Sequence, residues 1–206
     1  MASDLGPTVI AGSDVSVVGD LARLVPPART VVTVVPEQPA APATAVLVSA
    51  TAGGWDAAAA EVERAWGIPR TLIIAPAPVA RSGLADLAGP DWSSALDRNL
   101  GTAAAACRAF APGLAKRPLA SIVLVTWRNA SGPGTVHLAA VAGAVRLFAL
   151  ALAADLGDSG TTVNAVTVAE DDLAAAGPAV DLLSSPDAGY LTAEVLTPRS
   201  APGERR

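Results

Sequence analysis

The sequence predicts an α/β fold in which about seven parallel strands form one doubly wound sheet with helices on both faces. Short β-branched apolar runs alternate along the chain with longer alanine-rich segments, which is the order that builds β-α-β units. Of the 206 residues, 51% are hydrophobic and 16% are charged, a balance opposite to that of disordered chains. The length suits one domain with a full core, and we assign residues 1–197 to it.

The first half of the chain predicts four strands and two helices. Residues 8–11 form the first strand, and a turn at Gly12-Ser13-Asp14 leads into a helix that ends near Leu24. Residues 31–35 form a β-branched strand that ends at Pro36, because proline lacks an amide donor. A connector rich in proline and alanine (36–42) then precedes a third strand at 45–49, a helix at 55–66 and a fourth strand at 71–75.

The second half predicts longer helices between buried strands. The elements are a helix at 91–114, a strand at 121–126, a helix at 136–156 ended by Gly157, a strand at 161–168, a short helix whose end lies at 180–184, and a last strand at 191–196. The tail, residues 198–206, has little to pack against, and we expect it to be disordered.

Charge and cysteine content exclude several classes of function. Fourteen basic and nineteen acidic residues give a net charge of −5, so nucleic-acid binding is not expected. Cys107 is the only cysteine, which leaves no intrachain disulfide and no metal site. Residues 1–7 lack the features of a signal peptide, and the apolar stretch 138–156 carries Arg146 and Asp155, which favours a buried helix over a membrane span. We therefore expect a cytoplasmic protein that binds no membrane.

Four stretches of the second half carry a resemblance to a known family. The stretches are Asp91-Trp92 with Asn99-Leu100, Arg108-Ala109 and Pro112 behind it; Ser121-Ile122-Val123-Leu124-Val125; the run 144–157 with Thr162-Val163-Asn164-Ala165-Val166; and the run 179–196. In order and spacing they resemble the short-chain dehydrogenase/reductase family, most closely its acyl-carrier-protein ketoreductases. The resemblance covers most of residues 91–197 and implies a Rossmann-like sheet, whereas residues 1–90 fit only as a pattern of strands.

The resemblance also implies a catalytic group, and this chain lacks it. Such reductases protonate the developing alkoxide with a Tyr whose pKa is lowered by a Lys four residues later. Here the only Tyr is Tyr190 and the only Lys is Lys116. The resemblance places Leu138 at the Tyr position, Ala142 at the Lys position and Trp127 at the position of the catalytic Ser. Only Asn99 remains of the group, and we expect a structural role for it.

Most of the cofactor-binding residues implied by the resemblance are missing too. Three glycines in the first turn would let the backbone approach the pyrophosphate of a dinucleotide, and only Gly12 is kept, with Ser16 and Val18 in the other two places. Asp14 would also repel the pyrophosphate. The segment after Val166 is too short for the family's substrate lid, so we expect a truncated fold without a lid, and no bound NADP.

Three further side chains lie near the implied cleft. We interpret Trp127 as filling the space of an absent nicotinamide, in preference to a platform for a ligand, with Arg128 beside it at the end of the fifth strand. We interpret His137 as a solvated or capping residue at the start of a helix rather than as a catalytic group.

The two long helices are apolar around more than one face, which indicates contact with a second chain. The resemblance implies a four-helix bundle between two subunits, formed by residues 93–114 and 136–156. The interface candidates are Leu100, Ala104, Cys107, Ala139, Gly143, Leu147 and Leu150.

Three hypotheses of function follow. The preferred one is a non-catalytic, ketoreductase-like subunit that pairs with itself or with a catalytically complete reductase paralogue in fatty-acid or polyketide biosynthesis. The alternative is a repurposed enzyme or ligand binder, of the cyclase or dehydratase type, that uses Asn99, Trp127, Arg128 and His137 without nicotinamide. Residual oxidoreductase activity is the least favoured.

Overall fold

Seven parallel strands form one sheet in the computed structural model, which describes residues 6–26, 31–35, 46–49, 54–128 and 133–199. The strands are β1 (Thr8–Ala11), β2 (Val31–Val35), β3 (Val46–Ser49), β4 (Thr71–Ile74), β5 (Ser121–Trp127), β6 (Thr162–Val168) and β7 (Val195–Leu196). Their order in the sheet is β3-β2-β1-β4-β5-β6-β7, and every neighbouring pair is parallel. The predicted fold class and the number of strands are confirmed.

Helices cover both faces of the sheet. They are α1 (Val15–Leu24), α2 (Gly54–Trp66), α3 (Gly89–Leu96), α4 (Thr102–Leu114), α5 (Val136–Leu156) and α6 (Ala176–Leu183). One apolar core lies between the sheet and α2, α4 and α5, and a second lies between the sheet and α1 and α6. Within β5 the side chains alternate, since Ile122 and Leu124 enter the first core while Val123 and Val125 enter the second. A strand buried on both faces in this way is a continuous apolar run.

Two predicted elements differ from the structure. The helix predicted at 91–114 is divided by a π-helical turn, Asp97–Gly101, that joins α3 to α4. The strand predicted at 191–196 is reduced to Val195–Leu196, because Ala193 is in the left-handed conformation (φ 62°) and cannot continue an extended strand. The connector at 36–42 and the tail from residue 200 onward lie outside the described residues.

The strand order places a crevice at the carboxyl ends of the strands, between β1 and β4. The chain runs outward from β1 through β2 to β3 and then crosses to β4 on the other side of β1. Ligands of doubly wound sheets bind at such a switch point, outside the carboxyl ends of the strands. Residues 169–175 alone join β6 to α6, so the fold is truncated and has no lid there, as predicted.

Candidate functional site

The amino end of α1 faces the crevice, and its first amide groups donate hydrogen bonds to the carboxylate of Asp14. Asp14 is the N-cap of α1, and its Oδ1 accepts hydrogen bonds from the backbone amides of Ser16 and Val17, each at 3.1 Å. Its Oδ2 lies 3.2 Å from Nη2 of Arg98 in an ion pair. In dinucleotide-binding sheets such amides face the pyrophosphate. Here the protein supplies its own anion and the cation that balances it.

Gly12, at the end of β1, is required by packing. A Cβ atom built there would lie 2.6 Å from Cγ2 of Val18 and 2.9 Å from Cβ of Ala75. Its amide is also used, donating to the carbonyl of Val34 at 3.1 Å. The glycine therefore lets β1, β4 and α1 approach one another, and Val18, which the resemblance places at the third glycine, fills the space next to it.

The loop between β4 and α3, residues 75–88, crosses the carboxyl end of β5. Ala77 is fully buried and held from both sides. Its amide donates to Oδ1 of Asn99 at 2.9 Å, and its carbonyl accepts the indole N–H of Trp127 at 2.8 Å. Both side chains are used to fix backbone, so neither presents a polar group to the crevice.

Three more bonds fix the same loop farther along. Nε2 of His137 donates to the carbonyl of Ala80, and the amide of Ser82 donates to the carbonyl of Gly134 at 3.2 Å. Arg81 forms an exposed ion pair of 3.0 Å with Glu170, just after β6. The loop is thus tied to the turn before α5, to α5 itself and to the end of β6, and it covers the part of the crevice next to β5.

Asn99 lies within the π-helical turn and is 4% exposed. While its Oδ1 accepts from Ala77, its Nδ2 donates to the carbonyl of Ala95 at 3.0 Å. The asparagine therefore joins the backbone of the 75–88 loop to that of α3, at the point where the π-helical turn interrupts the regular helix. This geometry accounts for the asparagine by structure alone.

The two residues that the resemblance places at the Tyr and Lys positions face inward. Leu138 and Ala142 lie one turn apart on α5 and are 3% and 1% exposed. Trp127, at the position of the Ser, is 5% exposed and belongs to the core that α1 and α6 cover. Arg128 is exposed beyond the end of β5. The four residues of the alternative hypothesis therefore do not converge on an open cleft.

His137 departs from the sequence interpretation. It is 2% exposed, not solvated, because the 75–88 loop folds over it. Since a carbonyl oxygen only accepts, Nε2 carries a proton. Nδ1 is buried and has no hydrogen-bond partner within the described part of the chain.

A pocket of about 200 Å³ lies beside His137, between α3 and the 75–88 loop, and we name it the α3 pocket. One face of α3 and the turn that follows supplies Asp91, Ser94, Ala95 and Arg98, four positions that succeed one another at helical spacing. The remaining lining residues are Pro78, Val79, Ala80, Ser82, Leu87 and His137. In the described ranges, no group of three His, Cys, Asp or Glu side chains is placed to hold a metal ion.

The outer side of α4 and α5 is apolar and open. Leu147 is 68% exposed, Ala104 is exposed, and a Cβ atom at Gly143 would meet nothing within 4 Å. Ala139 and Leu150 are partly exposed on α5, and Leu100 is partly exposed in the π-helical turn before α4. Cys107 is an exception among the interface candidates, because its side chain is 1% exposed and belongs to the core. Burial raises the pKa of its thiol to about 12.

The described residues include one helical stretch, Val136–Ser159, that is long and apolar enough to cross a membrane by length and composition. In the structure it packs against the sheet through Val145, Ala149 and Ala153, as a core helix does. Only 39% of its most apolar window is buried, so much of its apolar surface remains uncovered in a single chain.

Two features of the site, the Asp14–Arg98 pair and the path of the 75–88 loop, were not predicted from the sequence. Asp14 was expected only to repel a phosphate, although Ser-Asp before an apolar run is also a signal for a helix N-cap. Its partner Arg98, whose backbone carbonyl accepts the hydroxyl of Ser13 at 2.8 Å, was not identified. The path of the 75–88 loop was not predicted either, and only the two prolines, Pro76 and Pro78, marked it as irregular.

Comparison with known proteins agrees with the fold. Residues 28–170 match the family model described as Enoyl-(Acyl carrier protein) reductase. A short-chain dehydrogenase/reductase from Serratia marcescens superposes with a TM-score of 0.79 at 17% identity, over 94% of this chain and 96% of that one. A short-chain oxidoreductase from Pseudomonas aeruginosa PAO1, described as NADPH-bound and as containing an atypical catalytic center, superposes with a TM-score of 0.77 at 19% identity, over 93% and 94%. At these identities the structural likeness concerns the fold.

Proposed function

Because this chain belongs to the short-chain dehydrogenase/reductase family, in the group of the enoyl-(acyl carrier protein) reductases, we propose that it is a non-catalytic, ketoreductase-like subunit. In this proposal it pairs with itself or with a catalytically complete reductase paralogue that serves fatty-acid or polyketide biosynthesis. One observation carries the proposal. The positions that the family resemblance assigns to the proton donor and its lysine are Leu138 and Ala142, two buried apolar side chains that can neither donate nor accept a proton.

The proposal includes the absence of NADP(H) binding, and the amino end of α1 supports it. The amides of Ser16 and Val17 are already bonded to Asp14, whose charge is balanced by Arg98. A pyrophosphate placed there would have to displace the carboxylate and would meet its negative charge. The residues present therefore do not fit the cofactor that the family uses.

The 75–88 loop supports the same conclusion on the substrate side. Trp127 and Asn99 hold Ala77 over the end of β5, where an active reductase needs room for nicotinamide and ketone. Opening this loop would leave a buried amide and a buried carbonyl of Ala77 without partners, which costs free energy.

The relative from Pseudomonas aeruginosa shows why the proposal does not depend on the missing Tyr and Lys alone. Its description combines bound NADPH with an atypical catalytic center, so in that protein an unusual centre and the cofactor coexist. For this chain, Asp14 and Arg98 at α1 and the covered end of β5 therefore support the proposal in addition to Leu138 and Ala142.

The pairing is supported by the outer side of α4 and α5. Leu147 exposes 68% of its surface, and it lies one turn from Gly143 on a helix with no charged residue before Arg146. Exposed apolar surface of this kind is typical of protein interfaces. Small residues such as Ala104, Ala139 and Gly143 would let the helices of a second chain approach closely.

A second candidate, the repurposed ligand binder or enzyme of the cyclase or dehydratase type, has one observation in its favour. Nδ1 of His137 is buried without a hydrogen-bond partner among the described residues, and His137 is one of the residues that line the α3 pocket. The other residues of that hypothesis do not form a site, since the side chains of Asn99 and Trp127 bind backbone and Arg128 is exposed just after β5. An unchanged product profile after His137→Ala would remove this candidate.

The experiment for the preferred proposal is a mass measurement. The chain is expressed alone and together with a complete reductase paralogue, and each sample is analysed by size-exclusion chromatography with light scattering. The proposal predicts a homodimer or a stable mixed assembly, and Leu147→Glu should disrupt it. A clean monomer in both samples, with no reductase eluting beside it, would refute the pairing.

A further inference from the structure

The outer part of the 75–88 loop is held differently from its beginning, and we name this part, residues 78–87, the strap. Ala77, just before the strap, is fixed by the buried side chains of Asn99 and Trp127. Within the strap every residue is half-buried or exposed, and neither of the two apolar cores contains a strap residue. The strap is therefore held by polar contacts, not by burial in a core.

Three polar contacts join the strap to the rest of the described chain. The carbonyl of Ala80 accepts from Nε2 of His137, the amide of Ser82 donates to the carbonyl of Gly134 at 3.2 Å, and Arg81 pairs with Glu170 at 3.0 Å. The two side chains of the ion pair are 56% and 33% exposed, so water and salt weaken it. A segment with few contacts and little buried apolar surface can open while the core stays folded.

The strap covers the only imidazole in the chain. His137 is 2% exposed, and its Nε2 donates to the strap at Ala80. The α3 pocket, a space of about 200 Å³, lies between the strap and α3, so over that space no helix packs against the strap. An outward movement of the strap would break the bond to Ala80 and let water and solutes reach the imidazole ring.

We propose that the strap is a lid on His137, which opens as a unit while Ala77 and the sheet stay in place. The ion pair of Arg81 with Glu170 is its latch, because it connects the strap to the segment just after β6 and is lost on opening. Opening breaks the three contacts of the strap and keeps the two bonds of Ala77, so the end of β5 remains covered. The lid therefore controls access to an imidazole, and the proposal is independent of pairing and of cofactor binding.

Hydrogen exchange on the full chain, followed residue by residue by NMR, tests the opening. The amide of Ser82 reports the strap, and the amide of Ala77 reports the fixed part of the loop. We expect the Ser82 amide to be protected about tenfold less than the Ala77 amide, or weaker still, because only the strap opens locally. Dilute urea should leave the Ser82 rate unchanged, since a local opening exposes little surface. Equal protection with equal urea dependence would overturn the proposal.

Diethyl pyrocarbonate, which modifies imidazole, tests access to His137 in the same folded chain. We expect slow and complete modification of His137 in the absence of denaturant, with circular dichroism showing that the fold is kept. A His137 that stays unmodified until the chain is denatured would overturn the proposal, because a lid that opens must expose the ring.

Two variants identify the latch. Glu170→Gln removes the charge that holds Arg81, and it should raise the Ser82 exchange rate and the His137 modification rate about two- to fivefold, as expected for an exposed ion pair. The matched control is Asp56→Asn, which breaks the exposed ion pair of 2.8 Å between α2 and Arg108 on α4 and should change neither rate. Unchanged rates in Glu170→Gln, or an equal rise in Asp56→Asn, would overturn the proposal.

Discussion

Asn99→Ala should destabilise the protein if the asparagine is kept for structure. The substitution removes the acceptor of the Ala77 amide and the donor to the Ala95 carbonyl, in a side chain that is 4% exposed. Each buried backbone group left without a partner costs about 1–3 kcal/mol, so the expected loss is about 3 kcal/mol in the free energy of unfolding. For a chain of this size that corresponds to a fall in Tm of roughly 6–12 °C.

Asn164→Ala is the matched control, because Asn164 has the same kind of contacts away from the crevice. Its Nδ2 donates to the carbonyl of Leu191 at 2.9 Å, and its Oδ1 accepts from the amide of Glu194 at 3.0 Å. Thermal and urea unfolding of both variants should give losses within about 1 kcal/mol of each other. If Asn99→Ala kept or raised the Tm while Asn164→Ala lowered it, Asn99 would be a functional residue and the structural account of it would be wrong.

Three further predictions concern other parts of the molecule. Leu147→Glu should lower the mass measured by light scattering without lowering the Tm. The control Leu84→Glu, at a leucine that is 69% exposed, should leave the mass unchanged. Equal masses for the wild type and both variants would contradict the assignment of the interface. Since folding raises the pKa of Cys107 from 9.0 to about 12, the thiol stays protonated in the folded state while it ionises in the unfolded state, so stability should fall by about 1.4 kcal/mol per pH unit between pH 9 and 12. Urea unfolding of the wild type and of Cys107→Ala tests this, and an identical pH dependence would refute it. Asp14→Ala should lower the free energy of unfolding by about 1 kcal/mol through loss of the N-cap, and a Tm equal to that of the wild type would show that the carboxylate does not hold the α1 amides.

The sheet could be predicted because its signal is local. The strands are continuous apolar runs, and α5 was predicted with the bounds it has, Val136–Leu156, since alanine and leucine favour helix and Gly157 follows. The last strand was predicted too long because Asn164 takes the carbonyl of Leu191 and the amide of Glu194 with its side chain, and strand periodicity contains no sign of such bonds.

The crevice could be predicted only in part. The missing Tyr, Lys and glycines were visible in the sequence, but what replaces them was not, because the replacing contacts join distant residues. Trp127 and Ala77 are 50 positions apart, and Arg98 and Asp14 are 84 apart. The burial of His137 was missed for another reason. The near-uniform apolarity of α5 gives no face from which the inward direction could be inferred.

Titration with NADPH tests the central claim most directly, namely that the chain keeps the reductase fold without the ability to bind the reductase cofactor. Cofactor fluorescence and calorimetric heat are followed on the full chain, with a complete reductase of the family as the positive control. The account predicts no saturable signal tighter than about 100 μM, which corresponds to about −5.5 kcal/mol, while the control binds. Saturable binding of NADPH below that concentration would contradict the account, because the pyrophosphate would then have to displace Asp14 from the amides of α1.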